Sequence, residues 1–201
     1  VDGGGWLVVD QQKVDLLFRS LDKVEATLGD AEGGRFEMHF EQQPPFGFFG
    51  PTLLGEIAIA YPLLDPAQEI AKLKQRVTPM PQALAQAVVQ SRLWSVEFGL
   101  NAFAPKYAAA GNVLALAGCL TRFAYALVLA LFALNGVYLL NEKTALAEID
   151  DFERAPKDFG ARLNALLATI GAGPEALDAI GALFEETKAL AGGLYAPAWR
   201  L

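Results

Sequence analysis

Residues 123–140 read Phe-Ala-Tyr-Ala-Leu-Val-Leu-Ala-Leu-Phe-Ala-Leu-Asn-Gly-Val-Tyr-Leu-Leu, 18 positions without a charge. No other stretch restricts the fold so strongly. A segment of this kind must leave water, either by crossing a bilayer or by running through the centre of a helical bundle. Asn135 and Gly136 interrupt it, no Lys/Arg-rich flank marks a cytoplasmic side, and the helical patterns around it are amphipathic enough to enclose it. The expected solution is a buried core helix. A composition of 53% apolar and 19% charged residues supplies the remaining core for a chain of 201 residues, the size of one domain or two small ones.

The rest of the chain divides by character. Residues 6–10 and 13–18 are β-rich runs separated by Gln11-Gln12, a hairpin spacing. Those two glutamines are poor turn formers, so a strained or longer turn is expected. Ser20 is placed to cap a short helix over 20–25, and residues 35–40 alternate like a strand with Phe36, Met38 and Phe40 on one face. A Pro/Gly/Phe-rich stretch from 42 to 51 reads as a loop. From Thr52 onward helical periodicity takes over, with helices expected at 52–60, 66–77, 81–109, 112–139, 144–150, 157–170 and 174–190. Pro105 should kink or end the 81–109 helix. The fold class expected is α+β: a small strand-bearing part over 1–45, then a larger all-α bundle over 52–190.

Charge narrows the partners. The net charge is −7 and the isoelectric point near 4.8, which argues against nucleic acid and anionic membrane surfaces as partners. One cysteine, Cys119, excludes an internal disulfide framework and suits a reducing cytoplasm. Cys119 sits between apolar residues and is expected in the core. One histidine, His39, excludes sites built on two imidazoles and toxin-type ribonucleases that pair Arg with His on a helix; it is expected at a strand edge. The chain opens on Val1 within the run Asp2-Gly3-Gly4-Gly5, with no basic and apolar leader, so it reads as the back portion of a longer protein without a signal peptide.

Two constellations can carry chemistry. Asp15 lies between Val14 and Leu16, so strand alternation sets its carboxylate on the face opposite theirs. There it could hold a divalent ion or act as a base, or simply face solvent. Glu97, Asn101 and Arg122 form the second. Helices 81–109 and 112–139 should fold back on each other through Gly111-Asn112, and reflection about that turn sets Arg122 level with Gly99, between Glu97 and Asn101. Arg122 is the lone charge between Gly111 and Glu142, so a Glu97–Arg122 pair is expected. It would either pin the two helices or line a substrate groove.

Gly3-Gly4-Gly5-Trp6-Leu7-Val8-Val9-Asp10 followed by Lys13-Val14-Asp15-Leu16-Leu17-Phe18-Arg19 resembles the later strands of bacterial nucleotidyltransferase-domain proteins, a polymerase-β-like superfamily that includes the aminoglycoside nucleotidyltransferases. Pro45-Phe46-Gly47-Phe48, Gly55-Glu56, Leu64-Asp65-Pro66, Leu73-Lys74, residues 117–122 and residues 131–143 are similar to the same group, so the likeness covers about 3–145. It implies transfer of a nucleoside monophosphate from a nucleoside triphosphate such as ATP to a hydroxyl-type small-molecule acceptor, with Mg²⁺. Asp15 would be the third metal-binding carboxylate, Glu142 the general base, and Lys143 a phosphate contact, with Glu97, Asn101 and Arg122 on the substrate side. The superfamily's Gly-Ser turn and Asp-x-Asp strand are missing and would lie upstream of Val1, so the isolated chain is expected to be inactive. The alternative is a non-catalytic helical module for binding or homodimerisation. A membrane-associated helical protein is a third reading.

Overall fold

The computed structural model describes residues 3–40, 46–170 and 174–197. It is an α+β chain in which two small antiparallel strand pairs precede a helical bundle. Strands β1 (Gly3–Val9) and β2 (Gln12–Phe18) form the hairpin, with Trp6 opposite Asp15. The turn falls one residue earlier than expected, on Asp10 and Gln11, with φ of 48° and 66°. Both are left-handed, as a two-residue hairpin turn of this twist requires. Neither is glycine, so the expected strain is present at about 1–2 kcal/mol per residue. Phe18, Leu16, Leu7, Val14 and Val9 share one face of this ribbon and are all exposed. Arg19 fastens its end to the bundle, donating from Nε and Nη2 to the two carboxylate oxygens of Glu56 at 2.7 Å each.

Helix α1 (Leu21–Glu32) starts where Ser20 Oγ accepts from the Lys23 N–H, and runs well beyond the expected 20–25. Of the strand expected over 35–40, β3 (Met38–His39) is the paired part; its partner β4 (Phe48–Phe49) lies in what reads from sequence as a loop. Residues 42–45 of that loop lie outside the described residues. The bundle follows as α2 (Thr52–Ile59), α3 (Glu69–Val77), α4 (Gln82–Ala102), α5 (Ala104–Ala109), α6 (Val113–Leu134), α7 (Ala145–Asp150), α8 (Phe159–Ala168) and α9 (Pro174–Ala191), ending in a 3₁₀ turn at Gly192–Leu194.

Two helix ends have clear causes. The 81–109 helix breaks at Phe103, which leaves Pro105 in the first turn of α5, where its missing N–H costs nothing. The 112–139 helix stops at Leu134 instead of 139. Gly136 takes φ +67°, its N–H donates to Ala133 O, and the Val137 N–H donates to Phe132 O, which closes a Schellman cap. Asn135 reinforces the stop: its Nδ2 donates to Leu131 O and Arg154 O, and its Oδ1 accepts the Arg154 N–H.

Helix α6 is the axis of the core. It is long and apolar enough to cross a membrane by composition, yet every residue from 126 to 134 is enclosed by other helices. It runs antiparallel to α4, as the Gly111-Asn112 turn predicts. They pack tightly at Gly99, where an added Cβ would overlap the Phe123 ring. Val24 and Leu28 of α1, Phe49 of β4 and Leu54 of α2 join the same cluster as Leu93, Leu127, Phe159 and Leu183, so packing is continuous across residues 45–52.

Two outcomes follow. Gly99→Ala gains helix propensity of about 1 kcal/mol but overpacks against a buried ring at a cost of about 1–3 kcal/mol, so its denaturation midpoint should fall. Gly118→Ala, whose Cβ meets nothing within 4 Å, should raise it. The second concerns pH. Arg76 on α3 donates to Glu25 and Glu32 on α1 at 2.7 to 3.0 Å, and its hydrogen bond holds the Glu32 carboxyl below the usual 4.5. That contribution is fully present above about pH 4.5 and is lost as pH falls through the lowered folded value. Both partners are half-exposed, so it is small. The stability gap between wild type and Arg76→Gln should be measurable at pH 7 and should narrow at pH 3.

Candidate functional site

A cleft of about 450 Å³ opens between α4, α6 and the side chains of Met38, Phe40 and Phe46. Helix α4 contributes Arg92 and Ser95, one turn apart. Helix α6 contributes a stripe at positions 114, 117, 118, 121, 122 and 125, spaced three or four residues apart so that they share a face. The cleft exists because that stripe is thin in the middle: Ala117 and Gly118 leave space that side chains would otherwise fill. Met38, Phe40 and Phe46 form the opposite wall.

Two arginines define its electrostatics. Arg92 is half-buried on α4 with its guanidinium 5.3 Å from the Phe36 ring centre, and its Nε–H donates to Ser91 Oγ at 3.4 Å. Burial pulls its pKa below the ordinary arginine value, which still leaves it cationic at neutral pH. Arg122 is exposed at the rim with its guanidinium 5.2 Å over the Phe40 ring. Among the described residues neither arginine forms an ion pair. The Tyr125 phenol is pushed up to about 12, first by burial and then by the Glu142 charge, with Arg92 opposing. At pH 7 it is a neutral donor. Thr121 adds a hydroxyl that donates to Ala117 O at 2.8 Å and keeps its lone pairs for a ligand.

A second cavity of about 190 Å³ adjoins the first and shares Phe46, Thr121 and Tyr125 with it. The Phe46 and Tyr125 rings stack on this common wall, centroids 4.3 Å apart and planes 8° from parallel. Beyond them the apolar lining includes Val128, Leu146, Leu163 and Leu167, with Glu142 and Asn164 as the polar members.

The residues singled out in the sequence are distributed differently. The expected Glu97–Arg122 pair does not form. Glu97 Oε2 accepts the hydroxyl of Tyr195, and Arg122 turns to Phe40. The reflection was one residue off: Phe123, not Arg122, meets Gly99, and one residue is 100° of helix rotation, enough to carry Arg122 from the helix–helix seam to solvent. The premise of a buried charge fails with it. Asn101 is exposed and donates from Nδ2 to the Glu97 carbonyl of its own helix at 2.8 Å. Asp15 is exposed on the hairpin opposite Trp6. Glu142 reaches the second cavity, while Lys143 is exposed, its backbone N–H donating to Asn141 Oδ1 at 3.0 Å. His39 sits at a strand edge, 3.1 Å from Glu37 Oε2. Cys119 is half-buried rather than enclosed, and burial raises its thiol pKa against the pull of Arg122. Among the described residues no three His, Cys, Asp or Glu side chains are grouped to hold a metal ion.

Arg92, Tyr125, Phe40 and Phe46 were not anticipated as site residues. Arg92 had a legible signal: it lies four residues from Val88 and four from Val96, a charge inside the buried stripe of α4. No family model, curated protein or solved structure matches the chain.

The corrected pairing is measurable. A double-mutant cycle with Glu97→Gln and Tyr195→Phe should show a coupling of about 0.5–3 kcal/mol, whereas Glu97→Gln with Arg122→Gln should be additive within about 0.5 kcal/mol.

Proposed function

We propose that the chain is a helical binding module whose cleft takes a small anionic ligand. The observation that carries this reading is Arg92: a half-buried guanidinium at the base of a concave site, without a carboxylate partner among the described residues. Desolvating a charge without pairing it is costly, and a bound anion offsets that cost. Arg122 at the rim adds a second cation, and Thr121 and Tyr125 add neutral hydrogen-bonding groups. Guanidinium groups bind carboxylate and phosphate through paired N–H donors, which favours these two anions over halide. The volume lies in the range of small-molecule sites, and the aromatic wall suits an organic rather than an inorganic ion.

Binding is favoured over nucleotidyl transfer because the carboxylate assigned to metal in that reaction, Asp15, stands on an exposed ribbon. A nucleoside triphosphate nevertheless belongs to the same charge class and is one arm of the test. Titration calorimetry at low salt with ATP, inorganic phosphate and a monocarboxylate should give saturable binding for at least one of them. Arg92→Gln should weaken it by about 10–100-fold, the loss of a charge-assisted hydrogen bond worth about 1.5–3 kcal/mol, with a smaller effect for Arg122→Gln. Affinity that is unchanged in both variants, or no anion binding at all, overturns the proposal.

A further inference from the structure

We infer that the ligand is an amphiphile with one anionic headgroup, its head on Arg92 and Arg122 and its apolar chain in the second cavity. This rests on the anion-binding reading of the first cavity. The two cavities share Phe46, Thr121 and Tyr125 and lie next to each other along α6, so a molecule seated at the arginines and long enough to round the Phe46–Tyr125 stack would occupy both. Polarity changes sharply across that wall. Both arginines lie on one side; on the other, Val128, Leu146, Leu163 and Leu167 offer an apolar chain nothing to hydrogen-bond and much to contact. A volume of about 190 Å³ corresponds to about six waters of liquid. Water confined there finds few polar partners, so its displacement by methylene groups drives binding.

The polar groups of the second cavity set a limit on the ligand. Glu142 carries the negative charge there, and it already raises the Tyr125 pKa across the shared wall. A second anionic group at the far end of the ligand would meet that carboxylate. The site should therefore select one charged end and reject two.

The experiment is calorimetric titration of the full chain with butyrate, octanoate, octyl phosphate, 1-octanol and octanedioate. Octanoate should bind at least tenfold more tightly than butyrate, since each buried methylene is worth at most about fourfold. Octanol should bind at least tenfold more weakly than octanoate, and octanedioate should lose most of the gain over butyrate. Comparison of octanoate with octyl phosphate tells which headgroup the arginines prefer; either order is compatible with the amphiphile, and failure of both to exceed butyrate overturns it. Leu167→Trp, at a half-buried position in the second cavity, should reduce octanoate affinity by a larger factor than butyrate affinity. A flat chain-length series with binding still lost in Arg92→Gln overturns the amphiphile and leaves the anion site standing. Octanol binding as tightly as octanoate, or no binding of any anion, overturns both. Octanedioate equal to octanoate overturns the role given to Glu142.

Discussion

The seam between α4 and α6 is the contact on which the remaining structure is hung. Gly99 lets the Phe123 ring lie against the α4 backbone, and that close approach sets the spacing of the two longest helices. Once they are fixed, residues 126–134 of α6 have to be covered on every side, since a wholly apolar helix has no face to offer water. α4, α7, α8 and α9 pack directly against α6, while α1, α2 and β4 join the same buried cluster. The cleft is a by-product of the same seam. Toward the start of α6 the stripe thins to Ala117 and Gly118, and the helices do not fill the space they enclose.

The hairpin obeys different rules. Its paired faces carry Trp6, Leu16, Leu17 and Phe18 into solvent, with Trp6 89% exposed. Two strands alone hold each other weakly. One link to the bundle is the bidentate Arg19–Glu56 pair, which is part-buried and so stronger than an open surface pair. Asp15 inherits this situation. Strand alternation placed it correctly on the face opposite Val14 and Leu16, but the register puts Trp6 across from it.

Much of the bundle was legible because its punctuation is local. Thr52, Pro105 and Pro174 mark helix starts within a residue or two, and Gly111-Asn112 marks the reversal, with the Ala115 N–H donating to Asn112 Oδ1. What failed was nonlocal. α6 stops five residues early because Asn135 bonds to Arg154, 19 positions away, while Gly136 adopts a left-handed cap. β4 needed knowledge that Phe48 and Phe49 pair with Met38 and His39. The site suffered most. Counting back from a turn is accurate to about one residue, and one residue decides whether Arg122 points into the seam or out of it. Glu97 could not be assigned to Tyr195 by any pattern, because 98 residues separate them.

An acidic chain with a cationic cleft is less paradoxical than the net charge suggests. Several carboxylates are already committed: Glu56 to Arg19, Asp30 to Arg35, Glu25 and Glu32 to Arg76, and Glu186 to Arg162. Arg92 and Arg122 are held instead by aromatic faces, Phe36 and Phe40. The distinction matters chemically. A carboxylate consumes the N–H donors at the edge of a guanidinium and cancels its charge. A ring lies against the flat face, stabilises the cation through its quadrupole, and leaves those edge donors available. Stacking thus keeps two arginines charged and oriented without neutralising them, which is the condition an anion-binding cleft has to meet before its ligand arrives.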